Sequence, residues 1–499
     1  MEQNFLPKFK KADIPHEELV PLEGLNPILL RHSKVFPYLI GDAAWALVPS
    51  SENLLAVDFL EKQSGYRFKV ALAEEDLILE LIQKFYETAQ PEEPEDLEED
   101  LREDVELLKD LASEAPIIRL VNQIIREAVE NRATDIHFEP QKDGLRVRYR
   151  IDGVLHERSF YSKALKAPLI SRLKLMAKLN IAEHRLPQDG RIKFRVGGED
   201  LDIRISTIPT INGEGVVLRL LPKEADFLTL DRLGLEKDHF HLFSKLIKHP
   251  NGIILVTGPT GSGKTTTLYA ALSLLNSPDK KIITIEDPVE YQISGISQIQ
   301  VKPEIGLTFA SCLRSILRHD PDIILVGEIR DLETAEISIQ ASLTGHLVFS
   351  TLHTNNAIGA IVRLNEMGVE RYLIAASLIG VVAQRLVRVL CPHCAKEIYP
   401  PPPEFLSALK HLSEPLPQIR YFVPQGCEKC SYTGYFGRIG IYEIVPVSNK
   451  LRKLILNASD DDLQNFLKQE KIVTLFQDGL RKVAKGITSF EEVLRVARL

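Results

Sequence analysis

Gly258-Pro-Thr-Gly-Ser-Gly-Lys264-Thr265 decides how this chain folds. It fills every fixed position of G-x-x-x-x-G-K-[ST], and its flanks suit it. Upstream, Gly252-Ile-Ile-Leu-Val256 is a short apolar run that reads as a buried strand. Downstream, Thr265-Thr-Thr-Leu-Tyr-Ala-Ala-Leu272 opens a helix. Strand, glycine loop and helix are what phosphate binding requires. The loop Gly258, Pro259, Thr260, Gly261, Ser262, Gly263 lets successive backbone N–H groups curl around a β-phosphate, and the helix start at Thr265 and Thr266 favours negative charge. Lys264 reaches the β/γ oxygens and Thr265 ligates Mg²⁺. The chain is expected to bind a nucleoside triphosphate, with ATP and Mg²⁺ as cofactors.

Around that loop, apolar runs at 253–256, 282–285, 323–326 and 347–349 alternate with helical patterns. This predicts an α/β nucleotide domain on a mostly parallel sheet. A phosphate loop needs carboxylates for Mg²⁺ and for the attacking water. One candidate lies in Asp322-Ile-Ile-Leu-Val-Gly-Glu328-Ile-Arg-Asp331, where the strand ends in Val326-Gly327 and the longer side chain of Glu328 offsets a retracted backbone. A second lies in Ile285-Glu286-Asp-Pro-Val-Glu-Tyr291. Ligands gather at the carboxyl ends of such strands, so Glu286 and Asp287 are expected to face the nucleotide. Glu286 is expected as general base and Glu328 as the organiser of Mg²⁺, although residue type leaves the two roles open to exchange. His346 and His353 flank the strand in Thr344-Gly-His-Leu-Val-Phe-Ser-Thr-Leu-His-Thr-Asn355 and are expected to sense the γ-phosphate. A histidine metal site is the weaker reading, since no carboxylate or cysteine lies within a few residues.

Cys391-Pro-His-Cys394 and Cys427-Glu-Lys-Cys430 form a doubled CxxC set. Two such pairs complete a closed tetrahedral site, so Cys391, Cys394, Cys427 and Cys430 are expected to hold a structural Zn²⁺. Cys312 has no such neighbour and reads as a core thiol on a helix.

The chain has 499 residues, 44% hydrophobic and 26% charged, with formal net charge −8. That describes a globular protein of about three domains. Its longest uncharged apolar stretch, Tyr372 to Gln384, is too short to cross a bilayer. The N-terminus lacks the pattern of a signal peptide. A cytoplasmic location follows, with any membrane association made through a partner. Ten acidic residues between Glu92 and Glu106 read as a solvated linker. The near-neutral remainder offers no basic footprint for nucleic acid.

The expected organisation is a small N-terminal docking domain (1–88), an acidic linker (89–112) and a second, α+β domain (113–222). A connector (223–240), an ATPase domain (241–390), a zinc-binding insert (391–435) and a C-terminal helical part (436–499) follow. The second domain opens with an amphipathic helix at 116–129. Alternating strands follow at 145–151, 191–196, 201–205 and 216–220, whose arginines read on their own as a solvated face.

Together these segments resemble the type II/type IV secretion traffic ATPases, the E-type family, over about residues 113–499. The likeness rests on the phosphate loop, 285–291, Arg314-Ser-Ile-Leu-Arg-His-Asp-Pro-Asp322, 326–331, 344–355 and the tetracysteine insert. The second domain adds Ala133-Thr-Asp-Ile-His-Phe-Glu-Pro140, Arg150-Ile-Asp-Gly153 and Leu186-Pro-Gln-Asp-Gly-Arg191. The resemblance implies a RecA-like nucleotide domain in a homo-hexameric motor, with ATP hydrolysed by in-line attack of water. It implies that Arg204 and Arg219 reach from the second domain to complete the ATP site. One departure is Gly213-Glu214-Gly215, where family members carry Gly-Glu-Arg/Lys. The tetracysteine insert and short first domain look most like the type II secretion member; pilus extension is the alternative. The first domain is then expected to dock on an inner-membrane platform protein of the secretion system, placing the motor on the cytoplasmic face. A nucleic-acid translocase is disfavoured by charge, and a non-hydrolysing scaffold by the presence of both Glu286 and Glu328.

Overall fold

The computed structural model describes residues 20–22, 30–31, 33–40, 43–50, 53–64, 66–86, 112–221, 229–412, 416, 418–457 and 459–497. The chain divides into two compact units, 1–100 and 101–499. Most of the acidic linker lies outside the described residues.

In the first unit, strands β1 (Val20–Pro21), β2 (Phe36–Ile40), β3 (Ala43–Val48) and β4 (Lys69–Leu72) form one sheet in that order. Helices α1 (Leu54–Ser64) and α2 (Glu75–Tyr86) accompany it. Leu77, Leu81 and Phe85 recur at helical spacing on α2 and pack into this core, with Leu77 and Leu81 buried.

The second unit begins with α3 (Ala115–Glu130). Pro116 starts it, and Ile117, Val121, Ile124, Ile125 and Ala128 recur at helical spacing and are buried. Each large aliphatic so buried contributes about 1.5–3 kcal/mol. This stripe covers a six-stranded antiparallel sheet built from β5 (Ala133–Pro140), β6 (Gly144–Ile151), β7 (Val154–Ser162), β8 (Gln188–Val196), β9 (Glu199–Thr210) and β10 (Gly213–Leu221). Its spatial order is β7-β6-β5-β10-β9-β8, with α4 (Lys163–Met176) crossing between β7 and β8.

The nucleotide domain is a seven-stranded sheet in the order β13-β12-β14-β15-β11-β16-β19. Its strands are β11 (Gly252–Thr257), β12 (Ile282–Glu286), β13 (Ser297–Gln300), β14 (Ile323–Val326), β15 (Leu347–Leu352), β16 (Leu378–Leu390) and β19 (Tyr435–Pro446). All neighbours are parallel except β16 and β19. Helix α5 (Lys237–Leu246) enters from the connector, so part of the segment expected as connector is helical. Around the sheet lie α6 (Lys264–Leu275), α7 (Phe309–Ile316), α8 (Leu332–Leu343), α9 (Ala357–Glu366) and α10 (Arg371–Ser377). Cys312 is buried on α7, as a core thiol should be. The apolar stretch 372–384 is divided: α10 takes its first half and β16 the rest. Among the described residues no helix is long and apolar enough to cross a membrane.

Between β16 and β19 the chain leaves the sheet at Leu390 and returns at its register partner Tyr435. The excursion carries β17 (Lys396–Glu397), α11 (Pro403–Ala408) and β18 (Phe422–Val423). The segment expected as a C-terminal helical part from 436 therefore opens with a sheet strand. A β-branched run with one tyrosine, Ile439-Gly-Ile-Tyr-Glu-Ile-Val445, explains the difference. Helices α12 (Asn449–Asn457), α13 (Asp460–Gln469), α14 (Leu475–Ala484) and α15 (Phe490–Val496) follow. β19 is the edge strand, and α14 closes on it. The fully buried Asp478 of α14 accepts the Tyr442 N–H at 3.0 Å and pairs with buried Lys482 at 2.6 Å.

Candidate nucleotide site and metal centre

The phosphate loop runs from the end of β11 into α6, at the carboxyl edge of the parallel strands. Gly258 has φ +153°, and a Cβ there would lie 2.4 Å from the Gln384 carbonyl oxygen on β16. Gly263 has φ +87°, with a Cβ 2.8 Å from Gln384 Nε2. Only glycine allows the loop to turn this tightly against the neighbouring strand. Pro259, Thr260, Gly261, Thr265 and Thr266 are exposed, while Ser262 Oγ is buried and lacks a hydrogen-bond partner. Lys264 is folded back, its Nζ donating to Gly258 O at 2.8 Å and Pro259 O at 3.2 Å. Burial pulls its pKa down to about 8; nearby Glu328 opposes that fall and Arg385 adds to it. An ammonium spending its donors on its own loop, beside an orphaned hydroxyl, suits a triphosphate with Mg²⁺ on Thr265.

Neighbouring strand ends position the acids. Ser350 Oγ donates to Val326 O and Thr351 Oγ1 to Gly327 O, both at 2.7 Å, so β15 holds the end of β14. Gly327 N–H bonds Ile285 O at 2.8 Å, and a Cβ at Gly327 would lie 3.0 Å from that same oxygen. Glycine thus brings Glu328 close beside the end of β12. The Glu328 carboxylate pairs with Arg330 and lies 3.5 Å from His353 Nε2. Burial first, then Lys264, holds the His353 imidazole below its ordinary pKa. Glu328, Arg330, His353, Thr354 and Asn355 line one end of a cleft of about 650 Å³.

Glu286 ends β12 beside this group but is 4% exposed. Its carboxylate accepts from Tyr269 Oη on α6, from Thr284 Oγ1 and, at 3.1 Å, from Gln298 Nε2. In this conformation its acceptor positions are taken by protein donors, whereas Glu328 faces the cleft.

The two histidines part company. His353 follows β15 at the loop's edge of the sheet. His346 precedes β15, level with Gly252 at the start of β11, and its Nδ1 lies 2.8 Å from Ala341 O. A six-residue strand places it roughly 20 Å from the phosphate loop. The expectation that both histidines sense the γ-phosphate is corrected for His346, because flanking a strand does not say which end.

Sequence reasoning missed Arg385. It follows Gln384 on β16, donates from Nη2 to Asn355 Oδ1 at 2.9 Å, and has a buried Nε without a partner. Only cross-strand placement reveals it, so the nucleotide domain brings a second cation near Lys264.

From the second domain, Arg204 reaches the nucleotide domain. Its Nη2 donates to Val289 O at 3.0 Å and its Nη1 lies 3.4 Å from Glu290, in the segment after Glu286. Arg219 is turned to Asp135 at 3.0 Å, its side chain 59% exposed. In Gly213-Glu214-Gly215 the departing residue is Gly215, and the glutamate before it has a structural role. Glu214 is buried and binds Lys174 Nζ with both oxygens, at 2.7 and 2.8 Å, and its Oε2 lies 2.7 Å from His184 Nδ1.

The four insert cysteines converge, every sulfur within 4.8 Å of the others. Cys391–Cys427 and Cys394–Cys430 are 3.9 Å apart and Cys427–Cys430 3.7 Å. Zn–S bonds of about 2.3 Å put tetrahedral sulfurs about 3.8 Å apart, and a disulfide would need about 2.05 Å. Backbone N–H groups of Gly426 and Gly434 point at Cys394 and Cys430, both at 3.3 Å. Burial pushes the Cys394 thiol up to about 12. Cys430 comes down to about 7, against the pull of burial, through N–H donation from Cys427 and Gly434. The donor set fits zinc, which would supply the charge that four thiolates require.

A model of the type II/IV secretion system protein family matches residues 110–495. The chain belongs to that family. Type II secretion system protein E of Xanthomonas campestris pv. campestris is 47% identical over 494 residues, covering 97% of this chain and 87% of that protein. Type II secretion system ATPase E of Vibrio cholerae is 51% identical, covering 81% and 79%. Protein E of Pseudomonas aeruginosa is 52% identical, covering 79% and 78%. Among solved structures, the Legionella pneumophila ATPase DotB is similar in fold, with TM-score 0.57 at 20% identity over 76% of this chain and 95% of that one. Within the family the chain groups with the type II secretion proteins E. It is an ATP-hydrolysing enzyme of type II secretion.

Proposed function

We propose that this chain works as a homo-hexameric ATPase motor on the cytoplasmic face of the inner membrane. The observation that carries the catalytic part is Lys264 beside Glu328 at one edge of a parallel sheet, with Glu286 on the adjacent strand end. Lys264 turns from its own loop to the β/γ oxygens. Mg²⁺, held by Thr265 with Glu328 behind it, would neutralise charge on those oxygens when bound. Glu286 takes the proton of the attacking water, which requires it to give up one of its three donors, Tyr269, Thr284 or Gln298. His353 orients the γ-phosphate side, and Arg204 and Arg219 supply cations as the second domain closes in the assembled ring.

Substitutions separate these roles. Glu286→Gln keeps ATP and Mg²⁺ binding while turnover falls by about 10²-fold or more. Glu328→Gln weakens the Mg²⁺ dependence, and Lys264→Ala weakens ATP binding itself. Equal loss of nucleotide binding in all three would remove the assigned base. The first unit is the docking element for an inner-membrane platform protein, and the Xanthomonas relative's match over nearly the whole chain supports its inclusion in the working protein. Capture of the platform protein's cytoplasmic segment by the full chain, undiminished on removing residues 1–88, would refute this docking role.

A further inference from the structure

The second-domain sheet carries a line of charge that runs across strands rather than along them. Register aligns Arg191 on β8 with Arg204 on β9, Arg204 with Arg219 on β10, Arg219 with Asp135 on β5, and Asp135 with Arg150 on β6. Directly opposed residues of antiparallel strands share a face, about 5 Å from one another. Four arginines therefore share a row with one aspartate. That aspartate is spent on two of them, 3.0 Å from Arg219 and 3.8 Å from Arg150. Arg204 has Glu290 across the domain boundary.

Arg191 is different. It is exposed and makes no hydrogen bond or ion pair among the described residues. Farther along β8 the sheet follows the usual rule of opposite charges across strands. Lys193 faces Asp202, and Arg195 faces Asp200 at 4.0 Å. At Arg191 the rule is broken, and arginine faces arginine. Like charges directly opposed destabilise a sheet, so an external anion is the natural counter-charge. The row points at the nucleotide domain, because Arg204 already touches Val289 and Glu290 there.

We propose that Arg191 is a third nucleotide-contacting arginine, which with Arg204 and Arg219 forms a continuous cationic rail for the phosphates of bound ATP. This rests on the reading that the second domain closes on the ATP site. Spacing supports it: adjacent strands lie about 5 Å apart, close to the span of a triphosphate from its first to its third phosphorus, and arginine side chains are long enough to converge on it. The rail would bind the polyanion through several charge-assisted contacts, with Arg191 at the open sheet edge.

The test uses the full-length assembled protein with Mg²⁺ and ATP. Arg191→Gln should lower kcat/KM by about 30-fold or more, and Arg191→Lys should recover most of that loss. The melting temperature should not fall, since the side chain is exposed without a hydrogen bond or ion pair among the described residues and the change removes a like-charge opposition. Arg204→Gln and Arg219→Gln are measured alongside. If those two abolish turnover and Arg191→Gln stays within about twofold of wild type, the rail ends at Arg204 and this proposal is overturned while domain closure stands. If none of the three changes turnover, closure of this face on the nucleotide fails with it. A loss in Arg191→Gln that Arg191→Lys does not recover at all would also refute a charge-based contact.

Discussion

Raising the pH should weaken ATP binding through one lysine, and the size of the effect follows from its surroundings. Lys264 is buried and titrates at about 8 instead of 10.5. Contact with a triphosphate favours the ammonium and returns its pKa to its ordinary range or above. The sign is fixed: the bound form holds its proton where the free form has lost it, so binding takes up a proton and affinity falls as pH rises through 8. The free-state penalty grows as (1 + 10^(pH−8)), about 1.1 at pH 7 and about 11 at pH 9. The dissociation constant should therefore rise about tenfold between pH 7 and pH 9, or about 1.4 kcal/mol. Neither His353, held below its ordinary value, nor the phosphates of ATP titrate in that window. Calorimetric titration with ATP and Mg²⁺ in buffers of different ionisation enthalpy would read both affinity and proton uptake. Lys264→Arg, which stays charged, should bind with a flat profile. A wild-type affinity unchanged from pH 7 to 9, or the same slope in Lys264→Arg, would refute the reasoning.

Three further outcomes are expected. Glu214→Ala strands the fully buried Lys174 ammonium and should cost about 3–5 kcal/mol in denaturant unfolding, whereas Lys174→Met with Glu214→Leu should recover most of that; a single-variant cost below about 1 kcal/mol would contradict the buried pair. His353→Ala should cut turnover by about tenfold or more while His346→Ala stays within about twofold, and a matching loss in both would put His346 back in the site. Elemental analysis should find one zinc per chain, and Cys391→Ser should lose it with destabilisation of the insert; zinc content unaltered by that change would exclude the tetracysteine centre.

What the chain disclosed unaided was whatever local spacing encodes. The phosphate loop, the strands before it and after Lys281, and the doubled CxxC pairs are short patterns whose chemistry needs neighbours in sequence. β16 was hidden because residues 372–384 are apolar throughout, with no period to divide a helix from a strand. β19 was hidden behind the cysteine excursion that separates it from its partner. The arginine row was beyond reach for a deeper reason. Residues 135, 150, 191, 204 and 219 meet only through register, which three hairpins and a long return set together. Arg385 likewise gains its meaning from Asn355, in the loop after β15, a strand two places away in the sheet. Glu286 could be located but not its Tyr269 hydroxyl, since nothing in 285–291 indicates which helix lies beneath.

The sealing of β19 by α14 has a bearing on crowding. An uncovered edge strand offers a ladder of free N–H and C=O groups to any strand that arrives, and the most frequent arrival is another copy of the same chain. In this molecule a buried carboxylate, Asp478, occupies the Tyr442 N–H, and Lys482 donates to that same carboxylate and holds it in place. A foreign strand would have to displace a helix and leave two ions without partners. For a protein proposed to gather in rings of its own kind, that barrier separates orderly assembly through side-chain faces from open-ended growth through the backbone.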